Sequence, residues 1–355
     1  MKQRKLVIGT RGSALALAQT HSVAQQLVAH HPSLALETRI IRTQGDKNPT
    51  ASFAQIGGKG IFTKEIEQAL LDGTVDLAVH SLKDLPNELP QGLMLAAVPE
   101  REDAHDVLVV KKVAHDAVAE PSAVLSSLRE GAVVGTSSLR RRAQLLRQRP
   151  DVKVVELRGN VDTRLRKLES QNLDAIMLAA AGLRRLGKLG GWEVGELGNW
   201  EIGELGNWEI GKLESWGVGE LGRVEGFPDF LVFPLPFDGF LPDPGQGALA
   251  IECRAEDVET LMLLQPLNHP DTFTATAAER AFVRAVGGSC RVPIGALATI
   301  ENDRVCLCAM IASPDGKEYV KDTITGNTAD AEELGRELGK RLLRRGGQQI
   351  LQSVQ

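Results

Sequence analysis

The turn Gly287-Gly288-Ser289-Cys290-Arg291-Val292-Pro293 sets a thiol beside a guanidinium. A neighbouring cation and an open backbone lower a thiol pKa, and the thiolate is the nucleophilic form. A small buried hydrophobe is the plain alternative. Val79-His80-Ser81-Leu82-Lys83-Asp84-Leu85-Pro86 leaves the end of a strand-like run. Lys83 and Asp84 there are either a surface ion pair, worth little, or crevice residues. In a crevice, Asp84 can stabilise a developing cation or move a proton. Thr10-Arg11-Gly12-Ser13 stands where a first strand meets a first helix, a junction at which backbone N–H groups and the helix dipole attract anions. Ile56-Gly57-Gly58-Lys59-Gly60-Ile61-Phe62 reads as a flap that places the Lys59 cation. It lacks the spacing of a phosphate-binding loop. Gly182 to Lys188 has that spacing, but Leu189 replaces the hydroxyl that would hold Mg²⁺, so nucleotide hydrolysis is set aside.

Cations concentrate further along. Residues 137–167 hold ten Lys/Arg against three Asp/Glu, a local balance of 10 − 3 = +7 in a chain of net charge -5. Ser138, Arg140 and Arg141 follow one strand-like run, Arg158, Gly159 and Arg164 the next, and Arg184-Arg185 a third. Ligands of open α/β sheets bind outside the carboxyl ends of strands, so these arginines are expected to converge on one crevice suited to several carboxylates or phosphates. A solvated basic face is the alternative for each alone. No aromatic residues are interleaved for base stacking, which argues against nucleic acid.

The elements that must position these residues follow from periodicity. Apolar runs at Lys5–Gly9, 36–42, 75–80 and 93–99 read as strands, and helices are expected from Ser13 to about Ala29 and over 63–71. The alternation restarts near residue 105, with strands at 107–110, 132–135, 152–157 and 175–179 and helices at 138–149 and 163–170. After a core strand at 248–252 the order changes. A helix over 274–286, strands at 294–300, 304–311 and 318–323 and a helix over 329–343 make a smaller α+β unit. The domains expected are 1–104 with 242–268, then 105–241, then 269–355. Residues 188–241 contain an eight-residue repeat, Gly-Glu-Leu-Gly-Asn-Trp-Glu-Ile, with all four tryptophans on its period. Its glycine density disfavours helix, and a loop expanded by duplication, mobile or loosely β-like, is expected. A partner-binding comb of tryptophans is the sharper alternative.

Bulk properties narrow the class. The chain has 355 residues, 25% charged and 43% hydrophobic, which suits two or three globular domains. No run of 18 apolar residues occurs, so no membrane span is expected, and the charged start lacks the apolar run of a secretory leader. Four cysteines without a CxxC pair fit free thiols in a reducing, cytoplasmic setting.

Taken in order and spacing, these motifs, together with Gly245-Gln246-Gly247 and Ala278-Glu279-Arg280-Ala281, resemble the porphobilinogen deaminase (hydroxymethylbilane synthase) family. The resemblance runs over Lys5–Leu186 and from Pro242 to near the C-terminus. It implies two binding-protein-like α/β domains and a third that carries the cysteine. It also implies a dipyrromethane cofactor on Cys290 through a thioether, built from substrate and kept as a primer. Four porphobilinogen molecules would add with loss of ammonia before hydrolysis releases hydroxymethylbilane. Asp84 would then be catalytic. Cofactor contacts would come from Ser13, Lys83, Asp84, Ser138, Arg140, Arg141, Arg158 and Gly159. Substrate contacts would come from Arg11, Ser13, Arg158, Arg164 and Arg185, with Lys59 and Phe62 in a lid. No metal is expected, and the chain is expected to be a monomer without nucleic-acid or membrane partners. Two features depart from the family: the length of 188–241, and Ser289 where many relatives have glycine. The rival from another class is a non-catalytic polyanion-binding protein on the same two-domain fold, which would not need both Cys290 and Asp84.

Overall fold

The computed structural model describes residues 5–47, 60, 62–112, 124–190, 222–287 and 292–354. Its first sheet contains β1 (Lys5–Thr10), β2 (Ala35–Ile40), β3 (Leu77–Ser81), β4 (Leu93–Ala97) and, much later in the chain, the strand Leu249–Arg254. The second contains β5 (Asp106–Lys111), β6 (Val133–Gly135), β7 (Lys153–Val155), β8 (Ala175–Ala179), β9 (Leu189–Gly190), β10 (Gly222–Val224) and β11 (Phe227–Leu235). The late strand of the first sheet is β12.

The two sheets share a plan. The first has the order β2-β1-β3-β12-β4, with β1 parallel to β2 and β3, and β12 antiparallel to β3 and β4. The second begins β7-β6-β8-β5-β11, with β6 parallel to β7 and β8, and β5 antiparallel to β8 and β11. In each sheet the antiparallel strand is the one that arrives from the other sheet. Two chain segments, 98–105 and 236–248, therefore run side by side between the sheets. A pair of crossings allows the sheets to move as two bodies about one seam.

Burial explains the strands. Leu6 and Ile8 of β1, Leu77 and Val79 of β3 and Ile251 of β12 are buried in one core with Val23 and Leu27 of the helix Ala14–His30. Val107 and Val109 of β5 face a second core with Leu165, Leu168 and Phe230, while Leu108 and Val110 face a third with Leu145 and Phe233. A strand covered on both faces reads as a continuous apolar run, as β5 does. Each such side chain contributes about 1.5–3 kcal/mol when fully buried.

The C-terminal unit is an antiparallel sheet of β13 (Ile294–Glu301), β14 (Arg304–Ala312) and β15 (Tyr319–Asn327). The helices Pro270–Ala285 and Ala331–Leu342 pack on it through Phe282, Leu307, Ile311 and Leu338. It leans on the crossings: Ala296 N–H donates to the Pro242 carbonyl at 3.1 Å, and Leu297 and Met310 pack with Ala104 and Leu241.

Of the segment 188–241, expected to be a duplicated loop, only the two ends are described. Residues 191–221, with the tryptophan repeat, lie outside the described residues. The segment's two ends are strands: β9 pairs with β10, Gly190 opposite Arg223, and β11 is a nine-residue strand next to β5.

Candidate active site

Three of the motifs are capped helix starts. Ser13 Oγ accepts from Ala16 N–H at 3.2 Å, Ser138 Oγ from Arg141 N–H at 3.4 Å and Asn160 Oδ1 from Thr163 N–H at 2.8 Å. Each cap follows a parallel strand of its sheet and opens a helix of ten or more residues, Ala14–His30, Leu139–Gln148 or Val161–Ser170. The backbone thus turns from strand to helix at the carboxyl edge of the sheet, where the helix dipole favours anions. Gly159 makes one turn possible. Its φ is +114°, and a Cβ there would lie 2.6 Å from Thr163 Cγ2.

Between the sheets, charged side chains close on the two crossings. Arg140 is buried and spends every N–H: Nε on Asp243 at 2.9 Å, Nη1 on Asp106 at 2.5 Å and on the Leu241 carbonyl at 2.7 Å, and Nη2 on both carboxylates. Arg141 reaches Asp106 through Nε at 2.9 Å, the Met177 carbonyl at 3.1 Å and Gln246 Oε1 at 3.4 Å. Burial alone would raise the Asp106 pKa, but Arg140 and Arg141 outweigh it and hold the carboxyl well below the usual range. Gln246, fully buried, donates from Nε2 to the Ala104 carbonyl at 2.8 Å and to Asp106 at 2.9 Å, and its Oε1 also accepts from Lys83 Nζ at 3.1 Å. A chain of contacts therefore joins the end of β3 to both crossings and to the first turn of Leu139–Gln148.

At one end of that chain lie cations without carboxylate partners. Among the described residues, no carboxylate is within ion-pair distance of Lys83 or Arg164, and no cation within that distance of Asp84. Asp84 is exposed, and Lys83 and Arg164 are half-buried. Burial lowers the Lys83 pKa, Arg141 and Arg140 push the same way, and Asp243 and Asp84 oppose them. Burial lowers Arg164 to about 10, with Arg141 and Arg158 adding to the shift and Asp84 opposing. Lys83 and Asp84, from the first sheet, thus share one electrostatic neighbourhood with Arg141, Arg158 and Arg164 from the second. Arg164 Nε donates to the Gly159 carbonyl at 2.8 Å. Arg158 pairs with Glu156 at 2.5 Å.

Other expected residues have partners of their own. Arg11 pairs with Asp46 at 2.6 Å and lies 4.0 Å above the centre of the Phe62 ring. Arg185 donates to the Gly247 carbonyl at 2.6 Å, and burial lowers its pKa to about 10 against the pull of Glu102. Lys59 and Cys290 lie outside the described residues. The helix that leads to Cys290 is described, however, and its Arg280 donates to the carbonyls of Leu85 at 3.4 Å and Pro86 at 2.8 Å. Those residues directly follow Asp84.

Residue-type reasoning does not single out Asp106, Asp243 or Gln246. The available signal is the Gly245-Gln246-Gly247 triplet. Both glycines have positive φ, and a Cβ on Gly247 would lie 2.1 Å from the Glu102 carbonyl oxygen. The tight backbone drives Gln246 into the seam.

Two α/β sheets joined by paired crossings, with cations that have no carboxylate partner among the described residues and one carboxylate at the seam, define a cleft protein for a small acidic ligand. Two family models match the chain: porphobilinogen deaminase, dipyromethane cofactor binding domain, over residues 6–195, and porphobilinogen deaminase, C-terminal domain, over residues 273–344. The chain belongs to the porphobilinogen deaminase family. It is 44% identical over 354 residues to the porphobilinogen deaminase of Trichlorobacter lovleyi, covering 100% of this chain and 98% of that one. It is 43% identical to that of Pelobacter propionicus (100% and 98%) and 41% identical to that of Geobacter sulfurreducens (100% and 96%). Chains of this length are thus found elsewhere in the family. Among solved structures, a periplasmic binding protein of Salmonella typhimurium with high arginine specificity is similar at 12% identity, over 74% of this chain and 91% of that one, with a TM-score of 0.38. The reduced OxyR regulatory domain from Pseudomonas is similar at 14% identity, over 75% and 98%, with a TM-score of 0.37.

Family membership makes the chain a transferase of tetrapyrrole biosynthesis with a dipyrromethane-binding domain. The residues fit that group: Lys83 and Arg164 match its acidic side chains, and Asp84 matches its pyrrole N–H donors. The family match gives the rival, a non-catalytic polyanion binder, no support. No helix among the described residues is long and apolar enough to cross a membrane.

Proposed function

We propose that the chain is a hydroxymethylbilane synthase that extends a dipyrromethane primer, tethered at Cys290, with porphobilinogen and releases hydroxymethylbilane by hydrolysis. The observation that carries this reading is that Asp84, next to Lys83, acts electrostatically on Arg164 of the other sheet, with the helix that precedes Cys290 in sequence anchored beside Asp84 by Arg280. When bound, the dipyrromethane supplies the pyrrole carbon on which the product grows.

The chain's own residues do the rest. Lys83, Arg141, Arg158 and Arg164 hold acetate and propionate groups of the primer and the incoming substrate. Ser13, Ser138, Gly159, Arg11 and Arg185 complete those contacts, and Lys59 and Phe62 cover the cleft. Asp84 stabilises the positive charge that develops as porphobilinogen loses ammonia, and it takes part in proton transfer at the pyrrole ring. Arg140, with its donors committed to Asp106 and Asp243, holds the seam rather than the ligand. The product lengthens at one site, so the two sheet units must adjust about the crossings. The units are 1–104 with 242–268, 105–241, and 269–355, working as a cytoplasmic monomer on a small-molecule substrate.

The test is Asp84→Ala. Turnover of porphobilinogen is expected to fall by about two to four orders of magnitude, with an unchanged melting temperature. Normal turnover would remove Asp84 from the chemistry.

A further inference from the structure

The cations of the seam differ in what neutralises them. Arg140 is matched by two carboxylates and has no N–H left to give. Lys83 instead finds a neutral acceptor, Gln246 Oε1 at 3.1 Å, and the same oxygen lies 3.4 Å from Arg141 Nη2. Two cations from different sheets therefore meet at one amide oxygen. An amide carbonyl has two lone pairs and no net charge, so it can orient both donors without cancelling either charge.

The orientation of that amide is fixed from its other end. Nε2 donates to the Ala104 carbonyl at 2.8 Å and to Asp106 at 2.9 Å. Flipping the group would point Nε2 at two cations and Oε1 at two acceptors. The backbone is fixed too: Arg101 Nε donates to the Gln246 carbonyl at 2.8 Å, and Gly245 N–H donates to Glu279 at 2.6 Å. Gln246 thus reaches Lys83 from a crossing that is itself tied to the C-terminal unit.

We infer that Gln246 is a positioning residue for the condensation: its amide presents Lys83 and Arg141 together, still charged, to the carboxylates of the bound pyrroles. A carboxylate at this position would neutralise Lys83 and compete with the ligand for it. An aliphatic side chain would release Lys83 toward Asp84 or Asp243, whose charges already act on it. The inference rests on the function proposed above and adds to it a residue that touches neither substrate nor primer.

The test uses the full chain as purified, with Gln246→Glu, Gln246→Leu and Gln246→Asn. Gln246→Asn keeps the amide but withdraws it by one methylene, and serves if Gln246→Leu does not fold. Losing one charge-assisted contact corresponds to about a tenfold change in an equilibrium constant, or more. The KM for porphobilinogen is therefore expected to rise about tenfold or more in Gln246→Glu, while kcat changes less. The fraction of purified chain carrying the primer, read by intact mass, is expected to fall in parallel. In a Lys83→Met background, the Gln246 changes are expected to add little to KM. Lower melting temperatures with unchanged KM and unchanged primer loading would overturn the inference and leave the proposed function standing. A wild-type chain that neither carries the primer nor turns over porphobilinogen would instead remove the function on which it rests.

Discussion

Arg280 donates from Nη2 to the Pro86 carbonyl at 2.8 Å, which fastens the helix preceding Cys290 to the segment directly after Asp84. A second donor reaches the Leu85 carbonyl at 3.4 Å. Burial lowers the pKa of this guanidinium to about 10, with Arg284 adding to the shift and Glu252 opposing. Hydrogen bonds from a charged donor are worth about 1.5–3 kcal/mol. Arg280→Leu is therefore expected to lower unfolding free energy by about that much in denaturant titration and to reduce turnover. Unchanged turnover with reduced stability would mean that the anchor serves the fold alone.

Asp106 should make stability depend on acid. Its folded pKa is depressed, because Arg140 and Arg141 outweigh the effect of burial. Below the unfolded value of about 3.9, the unfolded chain binds a proton that the folded chain refuses. The stabilisation is therefore complete above that value and is lost as pH falls toward the depressed folded pKa. Asp106→Asn removes this dependence and leaves Arg140 and Arg141 buried with less countercharge, at a cost of about 3–5 kcal/mol. Thermal melts of both chains between pH 2 and 7 check the sign. Equal acid sensitivity in both would contradict it.

The tryptophan repeat joins two adjacent antiparallel strands, with Gly190 opposite Arg223. A short hairpin can make that connection. Replacing residues 191–221 by one asparagine leaves an Asn-Gly turn with Gly222, a pair suited to two-residue hairpins. Turnover and melting temperature are expected to stay close to wild type. A large loss in either would show that the repeat contributes to folding or catalysis.

Much of this arrangement is legible in the amino-acid sequence. The helix after Ser13, the strand Ala175–Ala179 and the clustering of Lys83, Asp84, Arg141 and Arg164 follow from periodicity and the strand-end rule. Other parts depend on remote partners. Arg140 and Arg141 are equivalent in sequence, yet only Arg140 is fully neutralised, by Asp106 34 residues away and Asp243 103 residues away. β11 is obscured by Pro228 and Pro234, which argue against a strand. It forms because Phe230, Leu231, Val232 and Phe233 are all buried beside β5. The helix expected from 274 begins at Pro270, where proline needs no N–H partner and the His269 side chain accepts from Thr272 N–H.

The primer at Cys290 is the centre of the proposed function, and intact-mass measurement of the purified chain tests it most directly. The predicted result is a mass raised by one dipyrromethane, a positive reaction with Ehrlich's aldehyde reagent, and loss of both in Cys290→Ser. An active chain at its unmodified mass would contradict the account.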